Sequence, residues 1–150
     1  MTQQQEKEVA LLNQLIKRNY DAEYGYKEAA ERAEDPTLKA FFQTKVEERY
    51  KFGHDIKPFI ALDGGEPNKG TSIVGDIHRQ FMKIKDLVTG ADDTAIIEEC
   101  IRGEKVALED YEKAIADEYT GPATKDTLRM HATAIRNSIE RLEQMQTVTK

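Results

Sequence analysis

Apolar residues recur along this chain at steps of three and four, the period of helices that bury one face. At about 100° of rotation per residue, four long helical segments separate, with a shorter one between the second and third. Helix one covers about 6–33, with Leu12, Leu15, Ile16, Asn19, Glu23, Tyr26 and Ala30 inward. "EDPT" ends it and starts the next: Asp35 caps, and Pro36 takes a first helical position that has no N–H to lose. Helix two runs to about Leu62, with Leu38, Phe42, Val46, Arg49, Gly53, Ile56 and Ile60 inward and Pro58 expected to kink or loosen its end. "DGGEPNKG" reads as a loop. The short helix covers about 71–88 through Ile73, Ile77, Phe81, Ile84 and Val88, with Gly90 as its C-cap. Helix three covers about 94–118, with Ile97, Ile101, Glu104, Leu108, Tyr111 and Ile115 inward. After the turn "TGP", helix four covers about 123–146 through Leu128, His131, Ile135, Ile139 and Leu142.

The two halves resemble each other. "GYKEAAE" at 25–31 matches "DYEKAIA" at 110–116. Tyr26 and Tyr111 stand 85 apart, as do Asn19 and Glu104, and Ile16 and Ile101, while Pro36 and Pro122 stand 86 apart. Each half is a helical hairpin with an apolar face that needs the other. Short turns within hairpins and a long link between them predict an all-α four-helix bundle with one crossover. The chain is then a single domain: hairpin one at about 6–62, the crossover at about 63–91 and hairpin two at about 92–147.

Polar residues interrupt the apolar stripes: Asn19, Glu23, Arg49, Glu104 and His131, with Tyr26 and Tyr111. An unpaired buried carboxylate costs several kcal/mol, so these groups need partners. Counting from the turns puts Glu23, Arg49 and Glu104 at about mid-bundle. The planar fork of Arg49 can serve two carboxylates, and Asn19 and the tyrosines can satisfy remaining lone pairs. The expected arrangement is a buried polar cluster of Asn19, Glu23, Tyr26, Arg49, Glu104 and Tyr111.

Composition narrows the function classes. Of 150 residues, 33% are charged, and the net charge of −6 is interleaved along the chain. That disfavours a nucleic-acid groove or a membrane-surface patch. No stretch reaches the roughly 18 apolar residues of a bilayer span, and the N-terminus lacks the order of a signal peptide. A cytoplasmic protein is expected, whose partner is a second copy of the chain or another protein. The single Cys100 lies on an apolar stripe, where it reads as a small core residue, and it excludes an intramolecular disulfide or a CxxC site.

A carboxylate-bridged metal pair is the alternative reading of the polar interior. That chemistry asks for a carboxylate from each of two helices and Glu-x-x-His from each of the other two, with iron or manganese as the cation. None of His54, His78 and His131 has a Glu three residues before it. Glu47 and Tyr50 imitate the spacing but fall off the stripe that carries Arg49. The reduced alternative is a site at Glu23, Glu104 and His131.

"GEKVALEDY" and the paired hairpins resemble rubrerythrin-type members of the ferritin-like superfamily, in which a helix-three Glu seven residues before a Tyr is a metal ligand. Glu104 matches that position, and Asn19 stands where helix one would bear its carboxylate. More closely, "LLNQLIKRNYDAEYGYKEAAE", "DPTLKAFF", "VEERYKF", "HRQFMKIKDLVTGADDTAIIEECIRGE" and "YEKAI" resemble a bacterial four-helix-bundle family labelled domain of unknown function 2383. The resemblance covers about residues 11–116 and implies the ferritin-like fold without an established activity. The remaining ligands do not carry over: Arg49 lies where a helix-two ligand would, and Ala132 and Ile135 at the helix-four positions. The expectation is therefore a bundle without a complete di-iron centre or other cofactor, serving a structural or protein-binding role. The alternative is an iron- or manganese-binding oxidoreductase, or an iron-handling protein, with an incomplete carboxylate site.

Overall fold

A computed structural model describes residues 1–69, 77–79, 81 and 92–149. Four long helices account for most of them: α1 (Gln3–Arg32), α2 (Pro36–Leu62), α3 (Asp92–Ala116) and α4 (Pro122–Thr149). The chain is all-α, and α1 and α2, like α3 and α4, form hairpins around tight turns. Most of the expected short helix at about 71–88, and its Gly90 cap, lie outside the described residues. Within that stretch, residues 77–79 and 81 are helical, and Phe81 is buried.

Local chemistry explains the helix ends. Thr2 and Gln5 form a reciprocal capping box, so α1 begins a turn earlier than its apolar stripe does. Asp35 caps α2 by accepting from the Thr37 N–H at 2.8 Å, with Pro36 in the first helical position. Lys39 reaches back to the Ala30 and Ala33 carbonyls at 2.5 and 3.2 Å, satisfying acceptors that the end of α1 leaves open. Pro58 does not end α2, which continues to Leu62.

α1 packs along both α2 and α3, and α3 along α4, while α2 and α4 meet less. The α1–α3 pair is antiparallel: Arg18 meets Asp110, Tyr26 meets Glu104, and the backbone at Glu34 and Asp35 meets Asp93. The interior holds two apolar clusters. One gathers Leu12, Leu15, Ile16, Ile56, Ile60, Leu128 and Ile135. The other gathers Ala29, Leu38, Phe42, Ile96, Ile97, Ile101 and Leu142. On α3 the buried line runs through Ile96, Cys100, Ala107 and Ala114 as well as Ile97, Ile101, Glu104 and Tyr111. Leu108 and Ile115, expected inward, sit at its half-buried edge.

The hairpins also grip each other at their ends. Asp93, in the first turn of α3, accepts from the Glu34 and Asp35 N–H groups at 2.8 and 3.0 Å, so hairpin two caps the turn of hairpin one. Hydrogen bonds to charged groups contribute about 1.5–3 kcal/mol each where water does not replace them. Asp93→Ala is expected to lower unfolding free energy by about 1–3 kcal/mol in urea titrations, and Asp93→Asn by less because it keeps one acceptor. An alanine variant as stable as the parent would mean that water takes over both amides.

Candidate functional site

The polar residues of the interior form two layers, and each layer draws one side chain from every long helix. The first contains Tyr26 (α1), Arg49 (α2), Glu104 (α3) and Ser138 (α4). The second contains Asn19 (α1), Asp55 (α2), Tyr111 (α3) and His131 (α4). Asn19 and Tyr26 are seven residues apart, as are Glu104 and Tyr111, and His131 and Ser138. Seven residues are two helical turns, so both members lie on one face and the layers stack roughly 10 Å apart.

Arg49 and Glu104 are the centre of the first layer, only 1% and 2% exposed. The guanidinium grips both carboxylate oxygens: Nη1 bonds Oε1, and Nη2 lies 2.6 Å from Oε2. Nη2 also donates to Ser138 Oγ at 3.2 Å, and Nε to Glu48 Oε1 at 3.1 Å. Ser138 donates its own hydroxyl hydrogen bond to the Ala134 carbonyl at 3.0 Å. The Tyr26 hydroxyl donates to Glu104 Oε2 at 2.8 Å. The rings of Tyr26 and Phe52 lie 5.8 and 5.5 Å from the guanidinium carbon, which adds cation–π attraction. Burial alone would lower the Arg49 pKa, but the charge and hydrogen bond of Glu104, with Tyr26 and Glu48, together outweigh it, raise the pKa and hold the group cationic. Burial and the Glu104 charge keep Tyr26 a neutral phenol.

The second layer is a directional chain. Asn19 Nδ2 donates to the Leu15 carbonyl at 2.9 Å and to the Tyr111 hydroxyl at 2.8 Å. Tyr111 OH lies 2.9 Å from His131 Nδ1, and His131 Nε2 lies 3.0 Å from Asp55 Oδ2. Since Asn19 supplies Tyr111 with a donor, the phenol proton points to Nδ1, and His131 carries its own on Nε2 toward Asp55. Burial lowers the His131 pKa, with Asp55 acting in the opposite sense, so the neutral imidazole fits this assignment. Phe52 stacks on the imidazole at 3.9 Å and 11°.

The structure thus brings Asn19, Tyr26, Arg49, Glu104 and Tyr111 into neighbouring layers, and Glu23 is the exception. Glu23 is half-buried near Tyr20, Arg49, Gly53 and Lys57, and it does not hydrogen-bond Arg49. Burial raises its pKa while Lys27, His54 and Lys57 pull it down. The reason is angular: Glu23 lies about 60° around α1 from Tyr26, at the edge of the buried face. Glu48 and Ser138 bond Arg49 instead, and Asp55 partners His131 in the other layer. Ser138 was visible as a hydroxyl seven residues after His131, between Ile135 and Ile139. Asp55 borders the buried Ile56, and nothing in its spacing distinguishes it from a surface charge.

The reduced metal set is not assembled. Both oxygens of Glu104 lie on Arg49, His131 belongs to the other layer, and Glu23 stands apart. Among the described residues, no group of three or more His, Cys, Asp or Glu side chains is placed to hold a metal ion. The donors present do not fit the di-iron pair of rubrerythrin-type proteins. Glu47 and Tyr50 face solvent, as does His54 against the Tyr50 ring, and His78 lies 2.9 Å from Glu28 Oε1 at the surface. A cavity of about 260 Å³ opens between α1 and α3, with Tyr26, Cys100 and Glu104 in its wall and Ile77 and Phe81 beside them. Burial, with the Glu104 and Glu99 charges, raises the Cys100 pKa well above that of an ordinary thiol, which disfavours the reactive thiolate.

A mutant Dps1 (F47E) of Mycobacterium smegmatis has a similar fold: its solved structure superposes with a TM-score of 0.77 at 16% identity, over 97% of this chain and 99% of that one. The architecture is therefore ferritin-like. No curated protein sequence is significantly similar to the chain. No described helix is long and apolar enough to cross a membrane. The sequence profile described as "Domain of unknown function (DUF2383)" matches residues 7–117, and the chain belongs to that family.

Proposed function

We propose that this protein is a ferritin-like bundle in which Arg49 supplies the central positive charge that a metal pair supplies elsewhere, and that it has a structural or protein-binding role. The observation that carries this reading is the bidentate grip of Arg49 on Glu104, which engages both oxygens of that carboxylate with a fixed cation. A guanidinium is always charged, cannot ligate a metal and repels one nearby. Every polar group of the first layer has a partner, so this layer can hold the four helices in register but presents no open coordination position. Function then rests on the surface, through self-association or a partner protein. Exposed Tyr50 and Met130, on α2 and α4, are apolar contacts such a surface could use.

The second reading, an iron- or manganese-binding oxidoreductase or iron-handling protein, draws on one observation. The cavity between α1 and α3 reaches Glu104 and carries Asp21 and Glu99 in its lining. A cation entering there would have to displace Arg49.

The two readings separate on metal content. Protein purified without chelators, loaded anaerobically with Fe(II) and desalted, is expected to retain no stoichiometric metal by elemental analysis. About two metals per chain would overturn the proposal and point to a di-metal enzyme. About one would point to a reduced site at Glu104.

The ion pair gives a second expectation. Arg49→Met strands the Glu104 charge in the interior and is expected to cost about 3–5 kcal/mol of stability. Adding Glu104→Leu removes the stranded charge and is expected to recover most of the loss. If the single variant matches the parent in chemical denaturation, the pair does not hold the bundle. Light scattering on the eluting protein would read self-association directly, and a strict monomer would leave a partner protein as the expected ligand.

A further inference from the structure

The end clamps of the two hairpins occupy matching places but are not chemically equal. Glu8 and Asp93 are 85 residues apart, and the turn residues they hold, Asp35 and Gly121, are 86 apart. Asp93 takes two turn amides, one on each oxygen. Glu8 takes one: its Oε2 accepts from the Gly121 N–H at 2.6 Å. The counterpart of the second amide, Thr120 N–H, donates to the Asp117 carbonyl instead. Glu8 is nonetheless 7% exposed, and what meets its side chain is another carboxyl group, that of Asp63 just after α2. Asp63 Oδ2 is shut off from solvent and has no donor.

Two carboxylates in contact, with one amide between them and a buried acceptor left over, lack a hydrogen. From this geometry we propose that Glu8 and Asp63 share a proton, and that the shared proton is a pH-sensitive latch closing this end of the bundle. The proton sits on the Glu8 oxygen that Gly121 leaves free and bridges to Asp63 Oδ2. It ties the start of α1, the end of α2 and the turn between α3 and α4. Its loss sets two negative charges against each other and loosens all three.

Among the described residues, no cation is among the groups that act on Glu8. Lys7, next to Glu8 on α1, lies over the Tyr119 ring at 5.3 Å. On the α3–α4 turn, the Asp117 carboxylate accepts from the Tyr119 N–H. Lys125, at the start of α4, is half-buried and, like Lys7, is not among the groups that act on Glu8. The groups that do act are Asp63, which raises its pKa, and the Gly121 amide, which lowers it. Burial is the largest influence, and together they push Glu8 up to about 7. A carboxyl whose folded pKa lies above its unfolded value of 4.5 stabilises the fold fully below 4.5. That contribution is lost as pH rises through about 7.

The test compares thermal midpoints of the parent and Glu8→Gln between about pH 5 and about pH 8. Gln keeps an oxygen for Gly121 and offers Asp63 a permanent donor. The midpoint of Glu8→Gln relative to the parent is expected to rise by several degrees across this range. Groups that titrate alike in both proteins cancel in the difference. A difference that does not change with pH overturns the latch. Should Glu8→Gln fail to fold, Asp63→Asn and the carboxyl carbon shift of Glu8 by NMR decide instead. The parent resonance is expected to titrate near neutrality, and Asp63→Asn, whose amide favours the ionised Glu8, is expected to lower that titration while burial still holds it above an ordinary carboxylate's. A parent Glu8 that titrates below about pH 5 overturns the proposal.

Discussion

The buried ion pair of Arg49 and Glu104 constrains everything around it. Bringing two charges into a bundle interior costs several kcal/mol per ion, and their attraction offsets this only if the remaining donors and acceptors are also met. Glu104 therefore needs Tyr26, and Arg49 needs Ser138 and Glu48. Those partners come from α1, α4 and α2, so satisfying one charged pair fixes the height and rotation of all four helices together. A slip of one helix by a turn would move its polar group by about 5.4 Å and strand a charge, a far steeper penalty than sliding one leucine past another.

The second layer repeats this logic with a neutral imidazole in place of the central ion pair. Tyr111 is to Asn19 what Tyr26 is to Glu104: in both layers a residue on one helix bonds the tyrosine of the other at 2.8 Å. The matched positions lie 85 residues apart in sequence, and antiparallel packing of α1 on α3 turns that offset into two reciprocal cross-links. Only the partner's chemistry differs, an amide in one layer and a carboxylate in the other. The carboxylate is the member that requires Arg49. The apolar clusters lie to either side of the layers, so the polar middle sets register while the apolar ends supply most of the burial.

Much of this was legible from spacing. The four stripes, the turns at Pro36 and Pro122, and the inward Asn19, Arg49, Glu104, Tyr111 and His131 follow from helical phase, because a polar residue amid leucines and isoleucines has few explanations. Partner identity was less legible. Phase gives an angle good to about a third of a turn, which is enough to place Glu23 inward but too coarse to separate a buried face from its rim. Ser138 and Asp55 escaped notice for the opposite reason: one is small enough to pass as filler and the other is half-exposed. The clamps at Glu8 and Asp93 depend on backbone amides in the turns, and no pattern of side chains marks where an N–H will point.

The choice of cation has consequences for how such a bundle behaves. A metal pair at the centre would make register depend on metal supply and on deprotonated ligands. Arginine stays charged over the whole physiological range and travels with the chain, so on the reading proposed here the middle of the bundle is indifferent to both. The tyrosines and Cys100 are held neutral by burial, and His131 is kept from protonation by the same means. On the proposal made here, the group that responds near neutral pH lies away from the centre, where Glu8 meets Asp63 with one amide too few. If both proposals hold, a bundle whose centre is fixed and whose end can loosen fits the scaffold or docking role proposed here, because its one responsive contact lies where the hairpins meet and not among the buried charges.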